Sequence, residues 1–439
     1  MDLNRREFLA HGAAAAGAVL AGAALQASLI TPASSLPWVR RVRRVGQTNM
    51  TEHDPVTLDV EQWADYWASL KVDAVLVSVT GIVAFYPTQI EHFKRAQFLG
   101  ERDLLGECCS AAKKRGLRVI ARLSPDQTWQ DFLLAKPEWF ERREDGQPVR
   151  NAQDKRLCHT CVFSDYFTEH IPAIMREVNA RYSIDAIFTN GFPGIPRQCY
   201  CDRCRTLPRA HTVEYWELYD ERLLGLWKDY DAIAKEGRPA NVFFGNCAPG
   251  AALIPKLRPF REICEWFNCD NQGRAGADAP IWGAAQQGRV AWAAMKGKTT
   301  SNATAAYAAG PVAWRNAAKE PAEVRMWLNE VVASGMIPWY HFIGAEKGLG
   351  EDRRWQQPGR RFFNWLARHD RHFSNRRSLS NLGVVLGQRT HLFHPNPASD
   401  GTFLQLKVAA GSALPKSHWR LRGSADRLTR YRQSTDMPS

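Results

Sequence analysis

Ala186-Ile187-Phe188-Thr189-Asn190-Gly191 is a short apolar run closing on polar residues, and reading it as a buried strand with a polar end decides the fold. A continuous apolar run of this length suits a strand covered on both faces, as in a parallel sheet. Seven further runs have the same character: Val42 to Thr48, Ala74 to Val79, Arg118 to Leu123, Val242 to Gly245, Glu265 to Cys269, Thr299 to Ala305 and Ile337 to Phe342. Amphipathic helical stretches separate them, among them Val60 to Leu70, Leu104 to Lys114, Phe167 to Arg181, Val213 to Ala234 and Ala322 to Ala333. Eight βα units over about 300 residues predict a (β/α)8 TIM barrel at 41–375. A doubly wound sheet is the alternative, but no Gly-x-Gly-x-x-Gly turn follows the first strand.

In such a barrel the chemistry gathers at the C-terminal ends of the strands. Strand one ends in Gln47 and Asn49 with Glu52 just beyond, strand two in Ser78 and Thr80, and strand three in Arg122 with Asp126 beyond. Strand four ends in Asn190, strand five in Asn246, strand six in Asp270 and Gln272, strand seven near Thr304 and Tyr307, and strand eight in His341. Any one of these is more often a cap or a turn former. Polar residues at nearly every strand end are what a polyol-binding bowl requires, with Gln47, Asn49, Arg122, Asn190, Asn246, Gln272 and His341 as its hydroxyl-binding candidates. Trp129, Trp139, Trp282, Trp314 and Trp339 lie in or near the same loops and offer faces for sugar C–H groups, although packing must account for most of the sixteen tryptophans.

Ten residues past strand four comes Cys199-Tyr200-Cys201-Asp202-Arg203-Cys204. Three thiols in so short a loop can point at one tetrahedral ion, and thiolate sulfur is a soft ligand suited to zinc. The fourth ligand must come from elsewhere, with Cys161 as first candidate and Cys158 as its competitor. A disulfide with a spare thiol, or free buried cysteines, are the competing readings. Cys108, Cys109, Cys247, Cys264 and Cys269 sit in apolar surroundings and read as buried thiols.

The N-terminus reads Asn4-Arg5-Arg6-Glu7-Phe8-Leu9, followed by an uncharged Ala/Gly-rich stretch from Gly12 to Ile30 and Thr31-Pro32-Ala33-Ser34. This is the pattern of a twin-arginine signal peptide at 1–33, which implies export in a folded state to the periplasm or beyond. Nothing after residue 33 reads as transmembrane. The net charge of +13 is concentrated in the tail, where 376–439 carry ten Lys/Arg against three Asp/Glu, so nucleic acid is not an expected partner. That tail opens with the apolar run Leu382 to Leu386 and loses hydrophobic periodicity after about Pro395, as the remnant of a truncated second domain would.

Asn190 followed by the cysteine run resembles the family 42 glycoside hydrolase β-galactosidases, and the barrel is similar above all to the family called hypothetical glycosyl hydrolase 6. Lys136-Pro137-Glu138-Trp139-Phe140, Asp145-Gly146, Cys161-x-x-Ser164-x-Tyr166 and Ile184-Asp185-Ala186-Ile187-Phe188 carry the same resemblance. It implies a carbohydrate substrate, a structural zinc on Cys161, Cys199, Cys201 and Cys204 with no organic cofactor, and relatives that continue into a trimerisation or amidotransferase-like domain. One departure stands out: family 42 places an Asn-Glu pair at the end of strand four, the Glu being the general acid, whereas this chain has Asn190-Gly191.

Glycoside hydrolysis needs two carboxyl groups flanking the scissile bond. Asp270 is the first candidate for nucleophile or base, because a carboxylate emerging from an apolar strand needs a reason to be there. Asp126 and Glu52 compete for the acid, and Asp185, at the start of strand four, reads as structural. The expected function is an exported glycosidase acting on oligo- or polysaccharides; the alternative, suggested by Gly191, is a barrel that binds carbohydrate without cleaving it. Expected partners are the sugar, the twin-arginine export machinery and, as an open alternative, further copies in a homo-oligomer.

Overall fold

The computed structural model describes residues 37–373 apart from 81, 193, 195–196, 211, 248–255, 274–280, 309–313 and 344–352, together with the strands Val384–Leu386 and Trp419–Leu421. The segment at 1–33, most of the tail at 376–439, and the side chain of Trp314 therefore lie outside the described residues. Two units divide after Arg41; the first contributes the helical turn Trp38–Arg41, and the second begins at Val42.

Eight strands alternate with eight helices in the second unit. They run β1 (Val45–Asn49), α1 (Val60–Ser69), β2 (Ala74–Thr80), α2 (Leu104–Lys114), β3 (Arg118–Leu123), α3 (Ile171–Arg181), β4 (Ala186–Thr189) and α4 (Val213–Lys235). The second half continues with β5 (Val242–Gly245), α5 (Leu257–Ile263), β6 (Trp266–Asp270), α6 (Gly283–Met295), β7 (Thr299–Ala305), α7 (Pro321–Ala333), β8 (Ile337–Ile343) and α8 (Gln356–Arg368). The strands form one parallel sheet in the order β5-β4-β3-β2-β1-β8-β7-β6. Its two ends meet at a single bridge, Asn246 to Asn268, where the Cys247 N–H donates to Asn268 O at 2.9 Å. This closure makes the (β/α)8 barrel. Where β6 would otherwise receive the N–H of Phe243, the Asp231 carboxylate of α4 accepts it at 3.1 Å.

The barrel interior is filled by aromatic rings from four strands. Phe244 stacks on Trp266 with centroids 4.5 Å apart, and Trp339 touches Phe188 at 5.5 Å from across the barrel. This layer forms a buried aromatic floor beneath the strand ends. Outside, α1 docks on β1 through Trp63 and Trp67, whose indole N–H groups both donate to Thr48 Oγ1 at 2.9 and 3.2 Å. Helix starts follow local capping: Asp59 accepts from Gln62 N, Asp103 from Gly106 N and Thr212 from Tyr215 N.

The expected strands are all present, with two displaced starts, the sixth beginning at Trp266 rather than Glu265. The first begins at Val45 rather than Val42, because the N–H groups of Arg43 and Arg44 donate to Asp73 Oδ2 at 2.7 and 2.9 Å instead of joining the ladder. The helix expected from Phe167 is a π turn over Tyr166–His170 before α3, since Pro172 has no N–H to donate into a regular first turn. Two hairpins escaped the reading: Gln127–Trp129 with Leu157–His159, and Tyr307–Ala308 with Trp314–Ala318. Val384–Leu386 pairs antiparallel with Trp419–Leu421, outside the barrel sheet. No helix among the described residues is long and apolar enough to cross a membrane.

Candidate active site

Each strand-end candidate is delivered by a strand whose apolar residues are buried around it. Asp270, the last residue of β6, accepts through Oδ2 from Asn246 Nδ2 at 3.1 Å and Gln272 Nε2 at 3.0 Å. Asn246 Nδ2 also donates to Asn190 Oδ1 at 3.0 Å, and Tyr307 donates its hydroxyl to Gln272 Oε1 at 2.5 Å. The ends of β4, β5 and β6 are thus joined to the hairpin after β7 in one chain of hydrogen bonds. His341, 2% exposed, meets Tyr307 edge-to-face at 5.4 Å.

Arg122, near the end of β3, interacts with both Asp126 and Asp270, and burial pulls its guanidinium down to about 10 against their attraction. Burial pushes both carboxyls up, with Arg122 opposing the shift in each. Among the described residues, the buried oxygens Asp126 Oδ1, Asn246 Oδ1, Asp270 Oδ1 and Thr304 Oγ1 at the strand ends have no hydrogen-bond partner. Orphaned buried oxygens are costly, and these four belong to residues at or just beyond the ends of β3, β5, β6 and β7, which makes those ends the candidate site.

The remaining candidates fall elsewhere. Gln47 donates to Asn49 Oδ1 at 2.6 Å and Ser78 to the same oxygen at 2.7 Å, a separate knot at β1 and β2. Glu52 is not part of the Asp126–Asp270 group; its carboxylate accepts the Gln97 N–H at 2.7 Å. Asp185 is buried between Arg118 and Lys113 and accepts the Val119 N–H, the structural role expected of it. Of the tryptophans, Trp339 belongs to the barrel floor, and Trp139 is buried against Tyr166 and His170, so both serve packing. Trp129 is flanked by Lys94 and Arg156, while Trp282 is 39% exposed.

Glu141 and Arg197 were not anticipated. Arg197 Nη2 donates to Glu141 at 3.3 Å and lies 3.2 Å from His159 Nδ1; burial raises the Glu141 carboxyl, and Arg197 opposes it. Both line a cavity of about 50 Å³ with Asp126, Gly191, Tyr215 and Tyr219. The only sequence signal was a carboxylate just after the Trp139-Phe140 pair, which no strand end would single out.

Cys161 and Cys199 line this cavity too, and the Sγ atoms of Cys161, Cys199, Cys201 and Cys204 lie within 4.8 Å of one another, all buried. Cys161 Sγ is 3.4 Å from Cys204 Sγ and 3.9 Å from Cys201 Sγ. Cys158 is outside the group, paired in the hairpin with Thr128. A tetrahedral ion with metal–sulfur bonds of about 2.3 Å needs sulfurs roughly 3.8 Å apart, and these distances fit. The four cysteines are free thiols that share hydrogen bonds, which lower the Cys201 thiol and raise Cys161. The Arg142 and Cys201 N–H groups point at Cys199 Sγ, at 3.5 and 3.4 Å.

The fold defines the class: a (β/α)8 barrel, an architecture shared with several glycoside hydrolases. Residues 59–191 match the family described as hypothetical glycosyl hydrolase 6, a span that includes Arg122, Asp126 and Cys161 and ends at Gly191. Among proteins of curated function none matches the chain. The barrel is similar to α-L-fucosidase isoenzyme 2 from Paenibacillus thiaminolyticus, with TM-score 0.59 and 16% identity over 79% of this chain and 51% of that one. It is similar to the β-galactosidase of the Antarctic haloarchaeon Halorubrum lacusprofundi, with TM-score 0.56 and 14% identity over 74% of this chain and 58% of that one. A third likeness is to the PgaB (BpsB) glycoside hydrolase domain of Bordetella bronchiseptica, with TM-score 0.51 and 14% identity over 69% of this chain and 94% of that one. The chain therefore spans little more than half of the fucosidase and galactosidase, and at these identities the likeness is one of fold.

Proposed function

We propose that this chain is a glycoside hydrolase-like enzyme that cleaves O-glycosidic bonds of oligo- or polysaccharides with two carboxyl groups at its barrel mouth. The observation that carries this reading is the pair Asp126 and Asp270, each with one buried, unpartnered carboxyl oxygen and each facing Arg122. Asp270 suits the nucleophile or base: Asn246 and Gln272 fix its Oδ2, leaving Oδ1 for the sugar carbon or a water. Asn190, Asn246 and Gln272 would bind hydroxyls around it. The family match and the glycosidase folds support the reading.

Zinc is the metal proposed for Cys161, Cys199, Cys201 and Cys204. Four thiolates would close its coordination sphere, so it would supply a structural clip and no open position for water. The folded state would reach the periplasm or the exterior by the twin-arginine route, a reading supported by Arg5-Arg6 and the apolar stretch after them. Replacing both arginines by lysine and fractionating cells tests it; unchanged export would refute it.

A second reading, carbohydrate binding without cleavage, is favoured by Gly191, which has no proton to give. Turnover of aryl glycosides, starting with α-L-fucosides and β-D-galactosides, separates the two. We expect Asp270→Asn to cut turnover at least about 100-fold while sugar binding persists. Binding with no turnover of any glycoside by the unmodified protein would favour the second.

A further inference from the structure

β4 ends at Thr189, and Asn190 leads to Gly191, whose φ of +79° lies in the left-handed region that favours glycine. A β-carbon at this position would stand 2.2 Å from Asp126 Cγ and 2.4 Å from its Oδ1. The Asp126 carboxyl therefore occupies the volume that any side chain at 191 would enter. The backbone of Pro125 and Asp126 is held by Thr160, which donates its N–H to Asp126 O at 3.1 Å and its hydroxyl to Pro125 O at 2.5 Å. Asp126 and Gly191 line the same cavity, and Asp126 Oδ1 is among the buried atoms with no partner.

We propose that Asp126, arriving from the end of β3, is the proton donor of glycosidic cleavage, seated in the space that Gly191 leaves open. This rests on the glycosidase reading above. The protonated carboxyl gives its proton to the glycosidic oxygen as the bond from that oxygen to the anomeric carbon breaks, and the bonding pair leaves with the alcohol. A water then delivers hydroxide to the anomeric carbon and its proton returns to Asp126, so one water is added overall and nothing is oxidised or reduced. Burial, which raises this carboxyl, keeps it protonated to higher pH than an exposed aspartate, and Arg122 steadies the carboxylate left after transfer. Gly191 and Thr160 are positioning residues: one makes room, the other fixes the backbone.

The test uses two glycosides of one sugar, a phenyl glycoside whose alcohol leaves poorly and a 2,4-dinitrophenyl glycoside whose alcohol needs no proton. Asp126→Asn should slow the phenyl substrate about 100-fold or more relative to the dinitrophenyl one, and abolish the alkaline limb of the pH–rate profile. Gly191→Ala should show the same selective loss, because it displaces the carboxyl. Unfolding midpoint and circular dichroism identify a variant that has failed to fold, and Asp126→Asn, which changes no volume, carries the test if Gly191→Ala does. Equal losses on both substrates in folded Asp126→Asn, or none, overturn this proposal alone. An unmodified protein that cleaves neither glycoside overturns it together with the glycosidase reading.

Discussion

At the scale of single residues, Gly46 illustrates how little room the barrel wall has. It sits in β1 beneath α1, and a β-carbon there would come within 2.3 Å of the Trp67 ring. Trp67 is fully buried and its indole is tied to Thr48, so the ring cannot swing away. Gly46→Ala should cost about 1–3 kcal/mol of stability, read as a lower urea midpoint with an unchanged slope. A midpoint equal to that of the unmodified protein would show that α1 shifts without penalty. The same reasoning about missing side chains applies at Gly191, where φ is +79° and the neighbour is the Asp126 carboxyl, so a side chain there would be strained as well as displacing that carboxyl.

At the scale of elements, the helices carry buried and half-buried carboxyls that titrate with folding. Asp220 in α4 and Glu330 in α7 are each pushed up to about 7, by burial above all. Between about pH 4 and 7 the folded chain therefore holds protons that the unfolded chain has released, and stability falls as pH rises through that window. For Asp220 the loss should be on the order of 2–4 kcal/mol, and Asp220→Asn should flatten the slope of unfolding free energy against pH. A slope unaltered by that substitution would refute the assignment. Most of these elements were legible in the sequence, because continuous apolar runs such as Val242 to Gly245 have no other stable use. The three-residue strands Gln127–Trp129 and Leu157–His159 were not, since so short a pairing leaves no periodicity to read. The candidate site was legible in part: Asp126, Asp270 and the cysteines declare themselves by position or spacing. Glu52 sits as near a strand end as Asp126 does, and only the fold shows that it caps the Gln97 backbone.

At the scale of the molecule, the four cysteines bring segments far apart in sequence to one point. Cys161 follows the hairpin beyond β3, and Cys199, Cys201 and Cys204 follow β4. The Cys161 N–H donates to Trp139 O at 2.8 Å and Tyr200 N–H to Arg142 O at 2.9 Å, so the clip also holds the segment 139–142. If zinc fills it, a strong chelator should lower the unfolding midpoint by about 5 °C or more, and Cys161→Ala should lose the metal that Cys158→Ala keeps. Metal retained in Cys161→Ala, or a midpoint indifferent to chelation, would exclude the clip.

The seam between β5 and β6 has a consequence for how this barrel could be taken apart. Seven of its eight strand junctions are ladders of several pairs, that of β2 with β3 shifting register between Val77 and Thr80; among the described residues the eighth is the bridge from Asn246 to Asn268, with Asp231 standing in for a missing neighbour. A chain cut between Gly245 and Trp266 would interrupt no continuous ladder, and would yield a five-stranded piece and a three-stranded piece whose remaining join is the full β1–β8 ladder. Two separately expressed fragments should therefore find each other and reassemble, which makes this the natural place to open the barrel for circular permutation or for grafting a partner domain.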